Sequence, residues 1–112
     1  MSSKFTQKQI KEIKEFRNKF PKTLEVQVSI TNEDTLIAEI SNFPGCYTQA
    51  ENLGELIHMV NDAVYTVLEI PEKYYSEMPS YTPPVSLAEA LNMLPKSRGS
   101  IESPVQFNLE GV

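Results

Sequence analysis

The chain has one cysteine, four glycines and no tryptophan in 112 residues, and a single histidine. One cysteine excludes an internal disulfide and any metal site built from several thiolates. The glycines at 45, 54, 99 and 111 are too scattered to form a phosphate-cradling loop. No apolar run reaches the roughly eighteen residues of a membrane span. The opening Met1-Ser2-Ser3-Lys4-Phe5 carries no apolar core followed by a small-residue cleavage site, so no secretory signal is expected. These absences lead to the expectation of a cytoplasmic protein with no membrane contact. Length and a hydrophobic content of 40% suit one domain over 1–112 with a modest core.

Basic charge is scarce after residue 22. Seven of the ten basic residues come earlier (Lys4, Lys8, Lys11, Lys14, Arg17, Lys19 and Lys22), against Glu12 and Glu15, so 1–22 carries +5 and the rest −10. An acidic body repels nucleic-acid phosphates and suits a basic protein partner.

The spacing predicts a helix over 5–20, stopped by Pro21, with Phe5, Ile13, Phe16 and Phe20 on one side and lysines roughly opposite. It could be a basic helix for nucleic acid or an anionic surface. The favoured reading docks its aromatic stripe on the domain and leaves its lysines solvated, because charge runs are usually solvated faces. Alternation over 24–31 predicts a strand with Leu24, Val26, Val28 and Ile30 on one face. A polar turn at 32–35 and a second strand over 36–41 complete a hairpin. Pro44-Gly45 suits the centre of a type II turn, and 46–50 can add a third strand.

Leu53, Leu56, Ile57, Val60, Ala63, Val64, Val67 and Leu68 then recur at helical spacing, behind an Asn52/Glu55 capping box. Prolines 71, 79, 83 and 84, with Tyr74, Tyr75, Met78 and Tyr81 between them, make 71–85 an irregular arm that packs on something: it could bind a peptide or stack on bases, and the favoured reading is a strap over the core or a subunit contact. Ser86 and Glu89 look like a second capping box, for a short helix to about residue 94. Residues 96–103 read as loop and 105–109 as a last strand, pairing with its own sheet or a neighbour's edge. The expected fold is α+β: an antiparallel sheet of three to four strands packed on one main helix, with an added N-terminal helix and a short C-terminal helix and strand. The parts are 1–22 (basic amphipathic helix), 23–70 (β-β-β-α core) and 71–112 (Pro/Tyr-rich arm, short helix, terminal strand).

No catalytic constellation converges. His58, among Glu55, Asn61, Asp62 and Tyr65, reads as an exposed helix-surface histidine, since Asp62 alone is a poor second metal ligand. Cys46 has no neighbouring His or Lys to lower its pKa and reads as structural. Glu25 and Glu39 can share the solvent face of the hairpin, but with Asp34 they fall short of a two-metal site. No catalytic, metal or cofactor-binding residue is therefore assigned, no cofactor is expected, and the protein is read as not an enzyme.

Residues 24–69 resemble the HicB-like antitoxin family. The matching features are the alternating first strand, a second strand ending Ala38-Glu39-Ile40, the string Phe43-Pro44-Gly45-Cys46-Tyr47-Thr48-Gln49, and the capped helix starting Asn52-Leu53-Gly54-Glu55-Leu56. The resemblance implies a β-β-β-α module like a truncated RNase H fold without the nuclease acids. Such modules neutralise a small, basic, RNA-cleaving toxin of the HicA type by covering its active site, and are generally homo-oligomeric. Many members add a C-terminal DNA-binding domain. Here the tail supplies neither a ribbon-helix-helix nor a helix-turn-helix, so DNA binding is not expected. The hairpin turn also lacks the family's common Asp-Gly, and a basic helix precedes the first strand. The expectation is an antitoxin-type binding protein acting through its outer strand face and the 74–81 arm. The alternative is a stand-alone oligomeric HicB-like domain with a ligand-binding or regulatory role, no toxin and no DNA.

Overall fold

The structure is a computed structural model that describes residues 5–31, 33–92, 99–100 and 104–110. Its elements run α1 (Gln7–Arg17), β1 (Thr23–Ile30), β2 (Leu36–Ile40), β3 (Tyr47–Ala50), α2 (Leu53–Val67), a 3-10 helix (Glu72–Glu77), β4 (Ser80–Thr82), α3 (Ser86–Asn92), β5 (Gly99–Ser100) and β6 (Val105–Glu110). The fold is α+β. One antiparallel sheet has the order β3-β2-β1-β6-β4, and the two-residue β5 pairs with β1 beyond the end of β6. The expected three to four strands become five along this path plus β5.

Period-two alternation gives the sheet one apolar face. Leu24, Val26, Val28, Leu36, Ala38, Ile40, Ala50 and Phe107 are buried on it, against Leu56, Val60 and Val64 of α2. Each large aliphatic side chain there contributes roughly 1.5–3 kcal/mol by leaving water. Both edge strands, β3 and β4, touch α2, so the sheet curls around that helix.

Local chemistry explains the element ends. Cys46 N–H donates to Phe43 O at 3.0 Å and Gly45 has φ +80°, the type II turn that Pro44-Gly45 suits. Asn52 Oδ1 accepts from Glu55 N–H at 2.8 Å, so α2 has its N-cap, although only the Asn52 half of the expected box forms. The helix ends in a Schellman motif: Ile70 N–H bonds Tyr65 O and Glu69 N–H bonds Thr66 O. Glu69 sits at φ +57°, where glycine is usual.

α1 is shorter than the 5–20 spacing predicts. Thr6 and Gln9 form a complete capping box at its start, and it closes on Asn18, three residues before Pro21. Ser86 is the first residue of α3 rather than its cap, and Leu87 N–H bonds Pro84 O. The expected extension of α3 to residue 94, most of loop 96–103 and Asn32 of the hairpin turn lie outside the described residues.

The Pro/Tyr arm is a strap. Tyr74 lies edge-on to Phe5, with ring centroids 5.6 Å apart, also meets Phe16, and donates to Glu12 Oε2 at 2.7 Å. Phe20 packs edge-on against Tyr65 and tilted against Tyr81. Arg17 Nε donates to Glu77 O at 2.8 Å. The arm therefore holds α1 to the domain through α1's aromatic stripe, while Lys8, Lys11, Lys14 and Lys19 stay exposed.

Candidate functional site

Opposite α2, the second face of the sheet is polar. Glu25, Tyr47, Gln49, Gln106, Asn108 and Glu110 are exposed on it, with Gln27, Ser29, Ile37 and Glu39 half-buried among them. The register places Glu25 beside Gln106, Gln27 beside Glu39, and Glu39 beside Tyr47. Glu25 and Glu39 thus share the face on neighbouring strands. A hydrogen bond to the Glu39 carboxylate, and that group's charge, raise the Tyr47 hydroxyl above the usual tyrosine range. The described residues of this face carry Glu25, Glu39 and Glu110 and no lysine or arginine. Asp34 lies apart from the face, in the β1–β2 turn at φ +65°.

The two sheet edges are treated differently. At β4, the outward backbone groups of Tyr81 meet one side chain. Asn61 Oδ1 accepts from Tyr81 N–H at 2.6 Å, and Asn61 Nδ2 donates to Tyr81 O at 3.0 Å. One helical turn on, Tyr65 OH donates to Pro79 O at 2.8 Å, and the Tyr81 hydroxyl donates to Pro21 O. Prolines 79, 83 and 84 flank the strand. This edge is closed by side chains and by residues that cannot donate.

The β3 edge is open among the described residues. Ile40 N–H bonds Cys46 O, so Ala38/Thr48 and Leu36/Ala50 are the hydrogen-bonded pairs of the β2–β3 ladder. The N–H and C=O groups of Tyr47 and Gln49 therefore point away from the sheet. Beside them lies an apolar groove of about 530 Å³ between the 43–47 turn and the flank of α2, lined by Phe43, Cys46, Tyr47, Ala63, Thr66 and Val67. Tyr47 is 62% and Val67 43% exposed.

The other candidates fall into place around these surfaces. His58 is exposed on α2, at a shallow cleft of about 260 Å³ with Asp62, Tyr65 and Tyr75. Cys46 is a half-buried free thiol whose pKa is pushed up by burial, the reverse of what a nucleophile needs. Tyr74, Met78 and Tyr81 are buried, so their side chains are taken up by the strap and not presented to a partner. Among the described residues, no group of three or more His, Cys, Asp or Glu could hold a metal ion. No described helix is long and apolar enough to cross a membrane.

Alternation alone marks the polar face. The Asn61 clasp and the open β3 edge have no such signal, because both depend on which strands end up outermost. Comparison of the chain with protein-family models, with curated proteins and with solved structures finds no match.

Proposed function

We propose that this chain is a non-catalytic, HicB-like antitoxin-type protein that binds and occludes a small, basic, RNA-cleaving toxin of the HicA kind. The observation that carries the reading is the exposed sheet face bearing Glu25, Glu39 and Glu110. Carboxylates interleaved with Gln, Asn and Tyr fit a basic protein surface: charge steers the encounter, and the amides supply hydrogen bonds at the rim. The succession β1-β2-β3-α2, with the Phe43–Gln49 string forming the turn and edge strand, supports the family resemblance on which the choice of partner rests.

Co-expression with a short, basic, histidine-containing protein encoded in the adjacent reading frame tests this. The expected result is a stable complex in which RNA cleavage is suppressed, weakened by added salt and by Glu25→Lys with Glu39→Lys. A neighbour that neither binds nor is neutralised overturns the proposal. The second reading, a stand-alone oligomeric domain without a toxin, draws its support from the open β3 edge.

A further inference from the structure

We propose that the β3 edge and the apolar groove beside it form a docking site for an extended, uncharged segment of a partner protein. The segment adds as a strand antiparallel to β3 and sends large apolar side chains, two residues apart, into the groove. The proposal goes beyond the antitoxin reading and does not depend on it.

The backbone sets the form of the ligand. Tyr47 and Gln49 turn their N–H and C=O groups outward, and an extended chain satisfies such a row in register. At β4 the Asn61 carboxamide already takes the outward groups of Tyr81, and prolines flank the strand. β3 holds no proline, no lysine and no inward charge in Tyr47-Thr48-Gln49-Ala50. Of the two outer strands, β3 is therefore the one left to receive another.

The groove sets the side chains. Thr48 lies opposite buried Ala38, and Cys46 is bonded to buried Ile40, so both turn towards α2. Residues of an added strand opposite Cys46 and Thr48 turn the same way, over Ala63, Thr66 and Val67. Residues 43–50 hold no Asp, Glu, Lys or Arg, and neither does that flank of α2. A charged side chain laid there would lose water with no counter-charge to meet it, so the ligand is uncharged at these positions. A basic surface is better served by the acidic face.

A second copy of the chain is the poorer occupant. Paired two-fold about Thr48, it sets only its Ala50 and Thr48 opposite Cys46 and Thr48, and such small side chains leave a groove of about 530 Å³ unfilled. It also brings two bodies together that each carry −10 outside 1–22.

The test is fluorescence anisotropy of an end-capped heptapeptide of alternating threonine and leucine, titrated with the full chain to about 500 µM. Saturable binding is expected, with the leucines in the groove and the threonine N–H groups donating to the Tyr47 and Gln49 carbonyls. N-methylation of the threonines should abolish it. N-methylation of the leucines should not, because their N–H groups point away from β3. Gln49→Pro removes a donor that the chain's own sheet does not use, and Val67→Glu sets a charge at the rim of the groove. Each is expected to weaken binding about 10-fold or more with an unchanged circular dichroism spectrum. Exchange of the Tyr47 and Gln49 amide protons should slow on binding. No binding by about 500 µM with leucine, isoleucine or phenylalanine at the groove positions overturns the proposal. So does equal binding of the two methylated peptides, binding that both variants leave intact, or tighter binding with lysine in place of leucine. Sedimentation velocity tests the second copy: a dimer that Gln49→Pro dissociates and excess peptide does not also overturns it. None of these outcomes bears on toxin binding, which the Glu25/Glu39 reversal tests separately.

Discussion

Asn61→Ala is expected to be among the most damaging single changes at a half-buried polar position. Its carboxamide takes both outward backbone groups of Tyr81, at 2.6 and 3.0 Å, and Tyr81 is fully buried. A third bond, from Asn61 Nδ2 to Ile57 O at 2.9 Å, adds little, because that helical carbonyl already accepts within α2. Truncation leaves an N–H and a C=O without partners at a buried strand. At about 1–2 kcal/mol for each orphaned group, the loss is about 2–4 kcal/mol. That is a large share of the roughly 5–15 kcal/mol typical of a whole domain. Urea unfolding measures it. With a slope of about 1–3 kcal/mol per molar, the midpoint should fall by about 1–2 M. Asn61→Asp keeps the acceptor for Tyr81 N–H and loses the donor to Tyr81 O, so it should fall between wild type and Asn61→Ala. Exchange of the Tyr81 amide proton should accelerate in Asn61→Ala beyond what the global loss explains. An Asn61→Ala midpoint matching wild type, with Tyr81 still protected, would refute the clasp.

Glu69→Gly should stabilise the protein by about 0.5–1 kcal/mol, read as a raised melting temperature, because φ +57° at the α2 terminus strains any residue with a Cβ. Gly45→Ala should cost about 1–2 kcal/mol in the same assay: the space beside Gly45 is open, so the loss comes from φ +80° alone. Alkaline pH should also destabilise the fold. Burial holds the Tyr65, Tyr74 and Tyr81 hydroxyls above their ordinary range, with the Glu12 carboxylate adding to the shift at Tyr74. Below pH about 10 these phenols are neutral in both states and their contribution is intact. Above it the unfolded chain releases their protons first, so stability should fall as pH rises towards the folded-state values. The urea midpoint and the tyrosinate absorbance, followed together, check this.

The parts of the fold that could be read from the sequence are those whose periodicity matches their burial. Leu24, Val26 and Val28 alternate because β1 buries one face, and Leu56, Val60 and Val64 recur at four because α2 lies on it. The type II turn and the Asn52 cap were legible because Pro, Gly and Asn each answer a specific backbone need. β4 was not legible: three residues between Pro79 and Pro83 have no strand signal of their own, and pairing with β6 and the Asn61 clasp impose the conformation. β5, with two residues, is set by β1 in the same way. Glu69 hides the Schellman turn because no glycine marks it. At the other end of the chain, the aromatic stripe beginning at Phe5 masks the Thr6/Gln9 box. The acidic face follows from the alternation that places Glu25 and Glu39 outward. The open edge does not, since it is fixed by strand order and by the parity of hydrogen bonding.

The most direct test of the proposed function is inhibition of RNA cleavage by the adjacent-frame basic protein, titrated with this chain and with its Glu25→Lys/Glu39→Lys variant. Both substitutions are on the solvent side of the sheet, so the variant should remain folded. The account predicts stoichiometric suppression by wild type and an inhibition constant at least about tenfold weaker for the variant, the difference shrinking as salt rises. Equal inhibition by both proteins, or none by wild type, contradicts it.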